Sequence, residues 1–203
     1  MTPHTLADAV EFYDARAAEF AARYDSVRFE DVHAPARRHL PTPPASVLDV
    51  GAGSGRDALA LARRGHPVVA VEPAAGLREH GARATAGEDV RWLDDRLPDL
   101  PRVRALGTTF DLILASAVLM HLDGDDLGRA MATFAVLASA DGRVVASLRG
   151  RAPGEPAALF HDHSDAAVLG AAEEAGLSLV DRWTAADALG RDRTWRGFVL
   201  AQR

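Results

Sequence analysis

The sequence predicts an α/β fold, a largely parallel sheet with helices packed on both faces. Three observations carry that expectation. Short, almost wholly apolar runs recur at 47–50, 67–71 and 110–115, and strands buried on both faces read this way. Segments with helical spacing lie between the runs. A glycine-rich turn at 51–55 joins the first run to the first of those helices, at the kind of strand end where open α/β sheets bind ligands.

The elements follow in order. Leu6, Val10, Tyr13, Ala17, Phe20 and Tyr24 recur at spacings of four and three, which predicts one amphipathic N-terminal helix. Four prolines between Pro35 and Pro44 predict an irregular connection. Residues 1–45 therefore form a helix and a proline-rich connection, and 46–203 form the main domain. Strand 47–50 leads into helix 56–64, which Gly65 stops. Strand 67–71, helix 74–84 and strand 90–93 come next. After strand 110–115, a helix over 125–138 turns Leu127, Met131, Phe134 and Leu137 inward and closes at Asp141-Gly142. Strand 143–148 is followed by a helix that Ser164 caps, running to Ala175. Strands 177–183 and 194–201 have no helix between them, so they should pair antiparallel.

Bulk properties narrow the function. The 203 residues suit one generous domain. There is no cysteine, so disulfides, thiolate metal sites and cysteine nucleophiles are excluded. All positive charge is arginine, and the net charge is −6, which lacks the broad basic footprint of a nucleic-acid binder. Arg37-Arg38 and Arg149–Arg151 are local basic groups at most, and the arginine-rich, alanine-rich usage suits a GC-rich bacterial genome. The first ten residues do not read as a secretory signal. No stretch reaches the roughly 20 apolar residues of a membrane span, so the cytoplasm is expected.

Chemistry concentrates at Asp49-Val50-Gly51-Ala52-Gly53-Ser54-Gly55-Arg56. Glycines here allow a sharp turn and close approach of backbone to a ligand. A nicotinamide fingerprint wants its third glycine at the sixth position, where this chain has Arg56. Glu72 ends the second strand about twenty residues on, the place from which a carboxylate can accept ribose hydroxyls.

This constellation resembles motif I and the following acidic position of class I S-adenosylmethionine-dependent methyltransferases. The likeness continues along most of the chain. Asp94-Asp95 resembles the position that meets the adenine amino group. The run 110–116, followed by Val118-Leu119-Met120-His121, resembles the fourth-strand motif, and 142–148 the fifth. The resemblance implies a Rossmann-like, doubly wound, seven-stranded sheet, mostly parallel with an antiparallel last strand. It implies S-adenosylmethionine as cofactor and, among small bacterial relatives, a small-molecule methyl acceptor.

The resemblance also implies site roles. Backbone at Gly51, Gly53 and Ala115 approaches the methionine portion, with Ala52, Gly55 and Ser116 beside it. Asp49 orients the turn or accepts from the cofactor's amino group, and Glu72, followed by Pro73, holds the ribose. Leu77 and Val118 pack on the purine, and Asp94 or Asp95 meets it. Tyr13 and Tyr24 either pack the first helix or reach over the cofactor as part of a lid. His121 either removes a proton from the acceptor or fixes its loop through the backbone. His161 and His163 with Asp162 and Asp165 are too sparse for a metal site, and none is expected.

The rival readings are RNA or protein methylation and a non-catalytic module that binds the cofactor. DNA chemistry fits poorly. Cytosine C5 attack needs a cysteine, and the Asn/Asp-Pro-Pro-aromatic motif of the amino-adenine enzymes is replaced here by Ser116-Ala117-Val118-Leu119. A monomer or homodimer is expected.

Overall fold

The computed structural model describes residues 6–203, with side chains from Ala9 onward. Seven strands form one sheet in the order β3-β2-β1-β4-β5-β7-β6. They are β1 (Val47–Val50), β2 (Val68–Val71), β3 (Val90–Leu93), β4 (Phe110–Ser116), β5 (Ala138–Arg149), β6 (Leu177–Ala186) and β7 (Thr194–Gln202). The first five are parallel, and β7 lies antiparallel between β5 and β6. Strand order reverses between β1 and β4, so a crevice opens at their carboxyl ends. The doubly wound sheet with its antiparallel final strand agrees with expectation.

Alternation along the strands separates two cores. Leu48, Val50, Ile113, Ala115 and Val144 pack under α7 (Gly124–Leu137) and α8 (Asp165–Glu174). Val47, Ala70, Leu112, Leu114 and Val145 pack with Ala58 and Leu61 of α4 (Arg56–Ala62) and with Phe29. Asp123 caps α7 by accepting from the Asp126 amide, and Ser164 caps α8 through the Ala167 amide.

The N-terminal helix is a pair rather than one rod. α1 (Leu6–Asp14) ends, Arg16 leaves helical geometry, and α2 (Ala17–Asp25) begins. The break bends both helices onto α5 (Ala75–Ala84). Asp14 accepts from the Gly76 amide at 2.7 Å, capping α5 from outside, and a side chain at position 76 would meet the Ala17 Cβ at 2.8 Å. The Arg16 guanidinium spans the break, lying over the Phe12 and Phe20 rings. Leu6, first of the predicted stripe, has its side chain outside the described residues.

Further differences are local. α3 (Phe29–Val32) and a 3-10 turn at Ala34–His39 order part of the proline-rich connection. A 3-10 turn at Leu119–His121 and the short α6 (Pro101–Arg104) also escaped the pattern, being too short for periodicity. The expected turn at Asp141-Gly142 is a bulge inside β5, which starts directly after α7. A Cβ at Gly142 would strike the Phe110 carbonyl oxygen at 2.7 Å.

Close packing on α5 sets the position of the glycine turn. The Trp92 ring of β3 lies where a Cβ at Gly81 would sit, 2.3 Å from its nearest atom, and Gly55 abuts the same glycine. Gly81→Ala improves helix propensity yet should lower stability by about 1–3 kcal/mol through overpacking. Thermal unfolding checks this, and an unchanged or raised Tm would show that Trp92 has room to move.

Candidate cofactor and acceptor site

The turn after β1 is built by left-handed backbone. Gly51, Gly53 and Gly55 have φ of 69°, 54° and 84°, a region that costs other residues energy. Gly55 precedes α4 and packs on Gly81 and Trp92, so it shapes the turn from behind. Gly51 and Gly53 face the crevice. Val118 packs on the first and the Tyr24 ring on the second, each close enough that a Cβ would be crowded at 3.1–3.2 Å.

Glu72 ties this turn to the next. Its Oε2 accepts the Gly53 amide and its Oε1 the Ala74 amide, both at 2.9 Å. Burial pushes its carboxyl up to about 7, although the two amide bonds and Arg78 favour the charged form. The Arg78 guanidinium donates to the Glu72 carbonyl oxygen and also pairs with Asp94.

Asp49 is fully enclosed and Oδ2 has no partner; Ser54 Oγ beside the same turn is likewise unpaired. Burial raises the Asp49 carboxyl well above its usual range, and Asp57 adds repulsion. Asp57 itself is held far below the ordinary range. Burial opposes that, but His33, at 2.8 Å, and Arg56, at 2.6 Å, outweigh it. His33 and the Asp57–Arg56 pair were missed as site residues, because nothing in sequence spacing brings the 29–33 segment onto α4. Arg56, which broke the nicotinamide pattern, turns its guanidinium away from the turn and toward Asp57.

Two cavities meet here. A small one, about 80 Å³, lies among Val71, Glu72, Pro73, Asp95, Leu97, Val118 and Leu122. A large one, about 670 Å³, runs from Asp49, Gly51 and Gly53 past Ser116 and His121 to Arg149, Trp183 and Trp195. Both are roofed by Tyr13 of α1.

The anticipated residues divide accordingly. Tyr13, Tyr24, Asp49, Gly51, Ala52, Gly53, Glu72, Pro73, Leu77, Ser116, Val118 and His121 line one or both cavities. Leu77 does so from beneath α2, packed with Phe20. Asp95 borders the small cavity, but its oxygens accept the Arg96, Arg102 and Val103 amides and so hold α6 in place. Asp94 faces outward to Arg78. The Ala115 side chain is buried in the core on the far side of the sheet.

His121 is held at both nitrogens. Nδ1 lies 2.8 Å from the Leu159 carbonyl oxygen, and Nε2 lies 3.1 Å from the Tyr13 hydroxyl. A carbonyl only accepts, so Nδ1 carries the proton and Nε2 accepts from the phenol. Burial lowers the imidazole's pKa and raises that of Tyr13 to about 12, consistent with a neutral pair. Among the described residues no cluster of three or more His, Cys, Asp or Glu could hold a metal. His163 instead bonds the Leu122 carbonyl oxygen.

Residues 47–142 match the family described as methyltransferase domain. That match spans just under half of the chain and includes the glycine turn and Glu72. No curated protein matches its sequence significantly. Among solved structures, this chain is similar to a TehB-like S-adenosylmethionine-dependent methyltransferase from Corynebacterium glutamicum. Identity is 20%, 93% of this chain and 99% of that one are covered, and the TM-score is 0.69. It is also similar to the 1,6-didemethyltoxoflavin-N1-methyltransferase of Burkholderia thailandensis, bound to 1,6-didemethyltoxoflavin and S-adenosylhomocysteine. There, identity is 20%, coverage 100% and 91%, and TM-score 0.76. A third is the magnesium protoporphyrin IX methyltransferase of Synechocystis with bound S-adenosylhomocysteine, at 17% identity, coverage 90% and 83%, and TM-score 0.67.

The Burkholderia and Synechocystis structures both hold S-adenosylhomocysteine, the demethylated form of S-adenosylmethionine. The residues present suit it. The unpartnered Asp49 Oδ2 calls for a donor, which an ammonium group supplies, and the glycine turn leaves backbone bare for close approach. Glu72 retains free lone pairs for hydroxyl donors, because each carboxylate oxygen can accept twice.

Glu72→Ala should weaken S-adenosylhomocysteine binding at least about tenfold, since hydrogen bonds to a charged group contribute roughly 1.5–3 kcal/mol. Calorimetry with unchanged affinity would remove Glu72 from the sugar site. Wild-type affinity should fall as pH drops through about 7. The sign follows because hydroxyl donors favour the ionised carboxylate, whose population burial has reduced at neutral pH. A pH-independent affinity between 6 and 8 (a window set by that same value) would contradict it.

Proposed function

We propose that the methyltransferase moves a methyl group from S-adenosylmethionine to an oxygen or nitrogen atom of a small molecule. The observation that carries this reading is the large cavity, which continues beyond the cofactor turn to the ends of β5, β6 and β7. Ligand pockets of small molecules commonly enclose about 300–1,000 Å³, and about 670 Å³ falls in that range. The bound 1,6-didemethyltoxoflavin of the Burkholderia enzyme and the magnesium protoporphyrin IX of the Synechocystis enzyme's name support it as small-molecule examples on this fold.

The cofactor supplies an already activated methyl on a sulfonium. The chain's residues then need to bind, align and exclude water. Well-oriented reactants gain on the order of 7–11 kcal/mol from proximity alone. Asp49 holds the amino group, Glu72 the sugar hydroxyls, and the small cavity at Pro73, Leu97 and Val118 the purine. The described part of residues 1–45, from Leu6 onward, covers this end, with Tyr13 and Tyr24 above the turn. No membrane or DNA partner is proposed, since the chain is net acidic and no helix of the described residues could cross a membrane.

His121 is proposed as a positioning group, because its Nε2 is occupied by the phenol that anchors α1. A residue acting as general base typically contributes 10²–10⁴-fold. His121→Asn should therefore lower kcat less than about tenfold and leave the pH profile unchanged. A loss above a hundredfold with disappearance of the acidic limb would establish His121 as the base.

The overall reading is tested by incubating the protein with methyl-labelled cofactor and a panel of phenols, amines, carboxylates, RNA and acceptor proteins. Label transferred to a small molecule is expected. Binding of cofactor without transfer to any member would favour a non-catalytic module, and label on RNA or protein would favour that substrate class.

A further inference from the structure

Resting on that reading, we infer that the acceptor is a planar aromatic acid, stacked on Trp183 with its carboxylate at Arg193. The floor of the large cavity is one row across four strands. Ser116 of β4 pairs with Ser147 of β5, Ser147 with Gly197 of β7, and Gly197 with Trp183 of β6. The first three positions carry only small side chains or none. Trp183 takes advantage of the last of them. A Cβ on Gly197 would lie 2.0 and 2.1 Å from two atoms of the indole, so the ring fills the space over bare backbone. Trp183 also borders the cavity and stays half-buried. A flat indole beside a smooth floor selects a flat partner, since aromatic pairs gain from offset stacking.

One register step nearer the strand ends, Arg149 pairs with Trp195. Here the charges are counted by their partners. Arg149 is buried and bound twice by Glu155, at 2.7 and 2.8 Å, with Phe160 and Trp195 against its guanidinium. Arg191 is bound by Asp187, whose Oδ2 also accepts from the Trp195 indole. Arg193 meets only Glu155 Oε1, already engaged by Arg149, at a longer 3.3 Å. Three guanidinium groups thus face two carboxylates at this end of the cavity, in a chain whose net charge is −6. The surplus positive charge belongs to the group with donors to spare, and a planar carboxylate matches a guanidinium in both charge and shape. The other end of the same cavity, at Asp49 and Glu72, is acidic and suits the cationic cofactor. The acceptor's carboxylate is thereby directed away from the cofactor end while the rest of the ring system reaches toward it.

The test uses the full chain saturated with S-adenosylhomocysteine and measures probe binding by calorimetry. The probes are a hydroxynaphthoate, its neutral carboxamide and its saturated decalin carboxylate. The hydroxynaphthoate should bind at least about tenfold more tightly than either of the others, one lacking the charge and one the flat ring. Trp183→Ala should weaken hydroxynaphthoate binding about tenfold or more. Arg193→Gln, at the rim and away from the core, should do the same while leaving the carboxamide unaffected. Both variants should bind S-adenosylhomocysteine as the wild type does, which separates loss of the acceptor site from loss of fold. Equal binding of acid and carboxamide, equal binding of aromatic and decalin acids, no measurable binding of the hydroxynaphthoate, or indifference to Arg193→Gln would each overturn the inference. Failure of wild-type protein to bind S-adenosylhomocysteine would instead overturn the cofactor reading on which it rests.

Discussion

One buried carboxylate holds the site open. Glu72 accepts the Gly53 amide with one oxygen and the Ala74 amide with the other. Those amides belong to the turns that follow β1 and β2, so the bond pair fixes the spacing between two neighbouring strand ends. Left without a partner, each buried amide would cost about 1–3 kcal/mol. The same two turns receive the N-terminal helices, since Tyr24 packs on Gly53 and Asp14 caps the helix after Ala74 at Gly76. The crevice, its roof and the Glu72 carboxylate are therefore parts of one connected arrangement.

Charge is arranged with polarity along the large cavity. Asp49, Asp57 and Glu72 gather near the glycine turn, with only Arg56 and His33 as buried compensation. Guanidinium groups dominate near the ends of β5 and β7. The two ends thus differ in the kind of ionisable group they offer, carboxylates at one and guanidinium groups at the other. A cavity with two such ends orients what enters it before any close contact is made.

Much of this was readable from residue order, and the reasons differ by element. The apolar runs at β1, β2 and β4 are unmistakable because strands covered on both faces tolerate little else. The turn at Gly51–Gly55 was readable because backbone geometry demands glycine there, whereas the bond from the Gly53 amide to Glu72 was not. The helix break at Arg16 was not, because the stripe of apolar residues continues across it. Only the docking of Asp14 and Ala17 on Gly76 shows why the chain bends. Asp94 and Asp95 looked equivalent in sequence, yet one faces Arg78 and the other caps α6. His33 and the Trp183 shelf depend on contacts between distant segments that no spacing rule encodes. Arg149, read as part of a surface basic group, is a buried ion pair.

The unpartnered oxygen of Asp49 has a thermodynamic consequence. Enclosed beside Asp57 with no donor on Oδ2, this side chain holds its proton to higher pH than an ordinary aspartate. An incoming ammonium reverses that shift, so complex formation would expel hydrogen ions into the surrounding medium. The heat measured on mixing would then include the ionisation enthalpy of whichever buffer receives them, and would differ between phosphate and Tris although the contacts formed are the same.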